Sequence, residues 1–433
     1  MSKENKGSAL QEKKFHYAWF VLAVGTFVVF GALGLARFGY SLLLPSMQSA
    51  LELDNSGAGV LATSNLTGYL VLALIGGALA ARYGPRLVVS LGMACIGIAM
   101  LFTGAANSYF AAGVWRMITG VGSGASNVPV MALMSAWFGP NLRGLATGIT
   151  ATGSSIALIV TGPLVPRMLK ALPDNGWRVT WYLFGGFSLV LAVVSALLLR
   201  NSPEDFGLTP LSRKPVVPRQ KSYASGKLQW SLVYRSKAVW HLGAVYAAFG
   251  FSYIIYMTFF VRYLVGEIGY TDQAAGNLFM VLGWCSLAAG LLWSGLSDRI
   301  GRKKAMALVF AIQALSFALF ALWPLRAGVT VSALLFGITS WSIPAIMAAA
   351  CGDVVGHRLA PAALGFVTLF FGIGQAAGPW IAGAIADASG SFKGSFLLAA
   401  SVAALGCIGS LLLRPVEENM LIETGGSYDS GTK

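Results

Sequence analysis

The chain alternates long apolar runs with short polar turns, and the runs are too evenly hydrophobic to be the one-sided stripes of soluble helices. About 20 consecutive apolar residues cross the hydrocarbon core of a bilayer as a helix. Twelve such spans are predicted, at 17–44, 57–81, 86–106, 109–137, 144–169, 178–199, 238–264, 274–297, 303–323, 328–352, 362–386 and 392–413. One long polar interruption separates the first six from the last six. It carries Pro203, Pro210, Pro215 and Pro218 with eight Lys or Arg residues, the composition of a linker. The expected architecture is all-α and membrane-integral: an N-terminal tail (1–16), a six-helix bundle (17–199), the linker (200–237), a second, pseudo-symmetric six-helix bundle (238–413) and a C-terminal tail (414–433).

Composition points the same way. Of 433 residues, 56% are hydrophobic and 11% charged, and mean hydropathy is +0.70, whereas about a quarter of a soluble domain is charged. The net charge of +14 reflects 30 Lys and Arg against 16 Asp and Glu. Placing both tails and the linker in the cytoplasm gathers most of the basic residues on that side, as the positive-inside rule requires. The charge is therefore read as topology and contact with anionic lipid heads, not as nucleic-acid binding. The first apolar run is too long for a cleavable signal and lacks a small-residue cleavage site, so it is expected to stay as the first helix. Cys95, Cys285, Cys351 and Cys407 lie in or at the end of apolar spans without paired spacing, which argues for packing over disulfides or zinc. A monomeric multi-pass protein of a bacterial inner membrane, without cofactor or metal, is expected.

A cationic turn occurs twice, half a chain apart: Arg82-Tyr83-Gly84-Pro85-Arg86 and Arg299-Ile300-Gly301-Arg302-Lys303. Gly162-Pro163 and Gly378-Pro379 repeat at an offset of 216, within one residue of the 217 that separates the turns, and Arg116-Met117-Ile118-Thr119-Gly120-Val121-Gly122 places an arginine ahead of a glycine series in the fourth span. A duplicated membrane chain is the usual build of a secondary transporter. In this order on twelve spans, the turns, the arginine-glycine run and the Gly-Pro pairs resemble the signatures of the major facilitator superfamily. The resemblance implies two six-helix bundles that rock about a central cavity lined by helices one, four, seven and ten. Trp137-Phe138, Arg143-Gly144-Leu145-Ala146-x-Gly148 and Asn201-Ser202-Pro203-Glu204-Asp205-Phe206-Gly207 are similar to the monocarboxylate-porter branch. The chain departs from that branch in its eighth span, where Ala274 to Ser297 has no ionisable side chain except Cys285.

The signature turns suggest a cytoplasmic gate built from Arg82, Arg86, Asp298, Arg299 and Arg302. Asp298 can pair with these cations or with the positive end of a neighbouring helix. Ala81 stands where the family usually has Asp and Pro85 where it often has Arg, so the latch is expected to be held by the second half. The plainer alternative is that these cations only anchor loops.

Arg37 and Arg116 are the charges set well inside predicted spans, both displaced about 9 Å toward the outside of their helices, whereas carboxylates occur only at ends, loops and tails. A cation in hydrocarbon normally faces a cavity and has a partner. If the two guanidinium groups converge, a bound anion can supply that partner with bidentate hydrogen bonds; otherwise Arg37 snorkels outward and Arg116 bonds to helix carbonyls. Thr119, Ser123 and Asn127 share a face with Arg116, and Tyr246, Tyr253, Tyr256 and Gln375 are further candidates for the site, though each taken singly is also a packing residue. No phosphate loop or metal spacing occurs, so an enzyme is not expected. The function expected is alternating-access transport of a small organic anion, a monocarboxylate above all; an exporter of amphipathic drugs or metabolites and a non-transporting receptor are the alternatives. With no buried carboxylate to carry a proton, any proton coupling must come from the substrate or from a peripheral group such as Asp353 or His357.

Overall fold

The computed structural model describes residues 16–212 and 230–413; the tails and linker positions 213–229 lie outside the described residues. Eleven of the described helices are long and apolar enough to cross a membrane: α1 (Ala18–Ala50), α2 (Asn55–Tyr83), α3 (Pro85–Ala105), α4 (Tyr109–Trp137), α5 (Asn141–Ala171), α6 (Gly176–Leu198), α7 (Lys237–Gly266), α9 (Arg302–Leu322), α10 (Arg326–Gly356), α11 (Leu359–Ser389) and α12 (Lys393–Leu411). The remaining span, α8, is broken into Asp272–Ser286 and Ala289–Ile300. This corrects the uninterrupted span predicted over 274–297. Apolarity is blind to the break, because a turn over Leu287 and Ala288 removes helical hydrogen bonds without introducing a polar residue. A matching turn over 338–341 interrupts α10, and there Trp293 Nε1 donates to the Ile338 carbonyl at 2.7 Å and Gln313 Nε2 to Thr339 O at 3.2 Å. Side chains thus satisfy carbonyls that the helix has released.

The helices form two bundles of six. In each, the third helix lies along the sixth, α3 on α6 and α9 on α12, and the halves meet through the pseudo-equivalent pairs α2 with α11 and α5 with α8. The duplicated turns also fold alike. Gly84 (φ 86°) ends α2 and Gly301 (φ 89°) ends α8, a backbone region that favours glycine, and Pro85 follows at the first helical position of α3.

Residues 200–212 fold back onto the first bundle. Leu211 N–H donates to Trp137 O and Gly139 N–H to Leu211 O, both at 2.9 Å; Trp137 Nε1 donates to Arg200 O at 3.0 Å, and Phe206 stacks on Tyr17. Asn201 Oδ1 accepts the Arg86 N–H at 3.0 Å. The Trp137-Phe138 and Asn201–Phe206 segments, which carry much of the likeness to one transporter branch, are therefore partners in a structural clasp.

The two ends of the seam between the halves differ. Call the end near residues 200 and 237 the linker end and the other the far end. In the far half, an added Cβ at Gly59, Gly162, Gly276 or Gly383 would lie 2.1–2.5 Å from a backbone oxygen of the opposite bundle. At Gly77, Gly144, Gly295 and Gly365, nearer the linker end, it would meet nothing within 4 Å. The halves are zipped together at the far end and parted at the linker end.

Candidate functional site

Within α1, Phe30–Phe38 is a π-helix; its end is marked by Gly39 N–H donating to Gly34 O, five residues back. Such a turn is rarely retained without a local use, and its return to α geometry leaves a carbonyl short of a helical donor. Arg116 of α4 supplies one, donating from Nη1 to Ala36 O at 2.6 Å. Its guanidinium is held between aromatic faces, 4.6 Å from the Tyr40 ring centre and 5.2 Å from that of Trp181. Arg116 is 1% exposed, and its Nε has no hydrogen-bond partner. Arg37, on the π turn itself, lies 4.4 Å over the Tyr69 ring of α2; its Nε and Nη2 are likewise buried and unpartnered.

The two arginines open onto one small cavity of about 10 Å³, room for roughly one water. Tyr40, Asn65 and Leu66 complete its wall from the first half, and Ile254, Met257 and Thr258 from α7 close it on the other side. Asn65 Nδ2 donates to Arg116 O at 3.2 Å while its Oδ1 is unpartnered. Toward the linker end lies an aromatic wall: Tyr246 stacks on Phe371 (4.5 Å), Phe249 on Tyr253 (4.8 Å), and Trp341 packs on Phe38 (5.4 Å). Gln375 donates to the Tyr253 hydroxyl, which is close enough to Arg37 to feel its charge. Asn127 Nδ2 donates to the Tyr69 hydroxyl at 3.0 Å.

Arg37, Arg116, Asn127, Tyr246, Tyr253 and Gln375 are thus brought to one region. Thr119 and Ser123 instead donate to carbonyls of their own helix, at 2.8 Å to Trp115 O and 2.9 Å to Thr119 O. Tyr256 turns into the second bundle, its hydroxyl 2.8 Å from Ser332 Oγ among Phe317, Phe320 and Phe336. Sequence reasoning missed Tyr40, Tyr69, Trp181 and Trp341. A signal existed for Tyr69, four residues beyond Asn65 on one face of α2, but none marked which of the many aromatics would cover an arginine.

The gate candidates all stay within their own halves. Arg302 pairs with Asp298 and, at 3.2 Å, with Asp353. Arg86 Nε donates to Ala196 O at 2.7 Å, Arg82 lies over Tyr83, and Arg299 is exposed. At the far end, by contrast, polar contacts cross the seam. Asp387 accepts the backbone N–H of Asn55 and Ser56, Thr63 Oγ1 donates to Ala376 O at 2.7 Å, and Arg262 Nε donates to Gln48 Oε1 at 2.7 Å.

A family model described as "Uncharacterised MFS-type transporter YbfB" matches residues 29–411. Among curated proteins, the chain is 25% identical over 402 residues to a hexuronate transporter of Bacillus subtilis, covering 88% of this chain and 92% of that one. It is 24% identical over 401 residues to a probable sulfoacetate transporter of Cupriavidus necator, covering 88% and 90%. Over a shorter stretch, 250 residues, it is 28% identical to the oxalate:formate antiporter of Oxalobacter formigenes, covering 57% of this chain and 55% of that one. Among solved structures, a bacterial homologue of the lysosomal transporter Spinster, inward-facing and occupied, superimposes with a TM-score of 0.72 at 15% identity, covering 92% of this chain and 97% of that one.

Proposed function

Because the chain belongs to the major facilitator superfamily of membrane transporters, we propose that it moves a small organic anion, most simply a monocarboxylate, by alternating access. The observation that carries this reading is the pair of guanidinium groups, Arg116 buried and Arg37 partly so, whose buried N–H donors go unpartnered on one cavity. Burying a cation without a counter-charge costs several kcal/mol unless something pairs with it. Neither salt bridge among the described residues involves these arginines. A carboxylate arriving from outside the protein meets that need.

The division of the site supports one charged end. Both cations come from the first half, whereas the second half contributes Ile254, Met257, Tyr253 and Trp341, surfaces suited to an uncharged body. The substrates for which these relatives are named agree on charge: hexuronate, sulfoacetate, oxalate and formate are organic anions. The same cations disfavour the cationic amphiphiles that an aromatic wall alone would suit. A seam zipped at the far end and parted at the linker end supports one of the two states that alternating access needs; with the linker in the cytoplasm of a bacterial inner membrane, this state faces inward.

The test is uptake into liposomes, screening carboxylates, sugars, amino acids and cationic drugs. Saturable transport of a carboxylate, lost in an Arg116 variant, is the expected result. Transport of a neutral or cationic compound that ignores Arg116 overturns the reading.

A further inference from the structure

Away from the arginine pair, the linker end of the second bundle holds a cavity of about 540 Å³. Its lining includes Lys237 and His241 at the start of α7 and Arg302 and Lys303 at the start of α9. Its walls are apolar: Leu242, Met306, Ala350, Val354 and Leu413. The one lining carboxylate, Asp353, is already committed to Arg302, whose second partner is Asp298. Neither Lys237 nor Lys303 forms an ion pair with a described residue. His241 Nε2 lies 3.0 Å from Gly409 O. Two long helices also begin here, and the start of α9 has no side-chain cap on its N–H groups. Positive helix ends and unpaired ammonium groups add in sign.

We propose that this cavity binds a phosphate-bearing anion, independently of the central site. The lysines and the α9 N-terminus recognise the phosphate, and the apolar walls take what is attached to it. The volume is that of a drug-sized ligand pocket, well beyond one inorganic phosphate. A phosphate joined to an apolar group, as in an anionic lipid, fills it better than the free ion. An anion held here also competes with Asp353 for Arg302, which ties occupancy of the cavity to the signature turn beside it.

The experiment uses the purified full chain in neutral detergent, with binding read by native mass spectrometry and thermal shift. Three probes are compared: inorganic phosphate, dihexanoyl phosphatidylglycerol and, as the zwitterionic control, dihexanoyl phosphatidylcholine. Phosphatidylglycerol is expected to bind and stabilise more than phosphatidylcholine. Its affinity should fall about ten-fold or more in Lys237→Ala/Lys303→Ala, as expected when charge-assisted bonds are lost, and hold in Lys237→Arg/Lys303→Arg. Val354→Trp, which fills the cavity and leaves every charge in place, should abolish binding and serves if the alanine variant does not fold. Parallel behaviour of inorganic phosphate would identify the free ion as sufficient, and its silence would identify the lipid headgroup as the source. Equal binding of the anionic and zwitterionic lipids, or undiminished binding in both the alanine and tryptophan variants, overturns the proposal.

Discussion

The Asp387 carboxylate of α11 accepts the Ser56 N–H at 2.7 Å, and its second oxygen accepts the Asn55 N–H at 2.9 Å, so an acid of one half caps the first turn of α2 in the other. Asp54, the local cap, takes the Gly57 N–H at 2.6 Å. The half-buried first turn of α2 is thereby shared between its own half and the opposite one, and the proposed alternating access would have to break its contact with Asp387.

Asp387→Ala is accordingly expected to loosen the far end. An exposed charge–dipole contact of this kind contributes about 1 kcal/mol, a several-fold shift in the balance of states. In a background with the four native cysteines replaced, a cysteine at Thr63 on the seam should react several-fold faster with a membrane-impermeant thiol reagent applied from the far side. An unchanged rate would mean that the glycine packing alone holds this end.

That packing gives a second prediction. Gly59→Ala would press a Cβ to 2.2 Å from Pro379 O, and Gly383→Ala to 2.2 Å from Asn55 O. Backbone cannot yield as a side chain can, and overpacking costs about 1–3 kcal/mol. Spin-label distances across the far end should lengthen in both variants. Gly77→Ala, which meets nothing within 4 Å, should leave them as they are.

The two arginines should separate when mutated. Arg116 packs between Tyr40 and Trp181 and bonds to Ala36, so Arg116→Ala is expected to lower thermal stability as well as substrate affinity. Arg37 stacks on Tyr69, lies beside the Tyr253 hydroxyl and has two unpartnered nitrogens, so Arg37→Ala should weaken binding about ten- to a hundred-fold with less loss of stability than Arg116→Ala. Arg116→Lys keeps the charge but not the planar fork, and should recover folding more than affinity. Calorimetric binding beside a melting curve for each variant decides it.

Coupling is open to a direct test. Asp298 and Asp353, linker-end carboxylates of the second half, are both paired with Arg302, away from the arginine cavity. Substrate counterflow is therefore expected to persist with equal pH on both sides of a liposome, and to survive Asp298→Asn and Asp353→Asn. Accumulation that requires an imposed proton gradient, uncoupled by one of these substitutions, would assign a proton-carrying role to that acid.

The sequence by itself determined the membrane class, the duplicated six-helix plan and the two arginines set inside spans, because each follows from a local quantity: apolar length, a repeated turn, or a charge where hydrocarbon cannot tolerate one. Gly84 and Gly301 were legible for the same reason, since a helix stop before a cationic helix start is written in consecutive residues. The tertiary structure alone decided what surrounds those arginines. Tyr40 and Trp181 reach Arg116 from α1 and α6, and Tyr69 reaches Arg37 from α2, which no spacing within one helix could announce. It also decided where polar contacts join the halves. Asp298 looks like a latch in the sequence because it sits in a signature turn, yet it pairs four residues away with Arg302, while Asp387, in no motif, crosses to α2. Helical periodicity reports which side chains share a face; which face meets the opposite bundle depends on how the two bundles are tilted in the state described, and that is a property of the whole assembly.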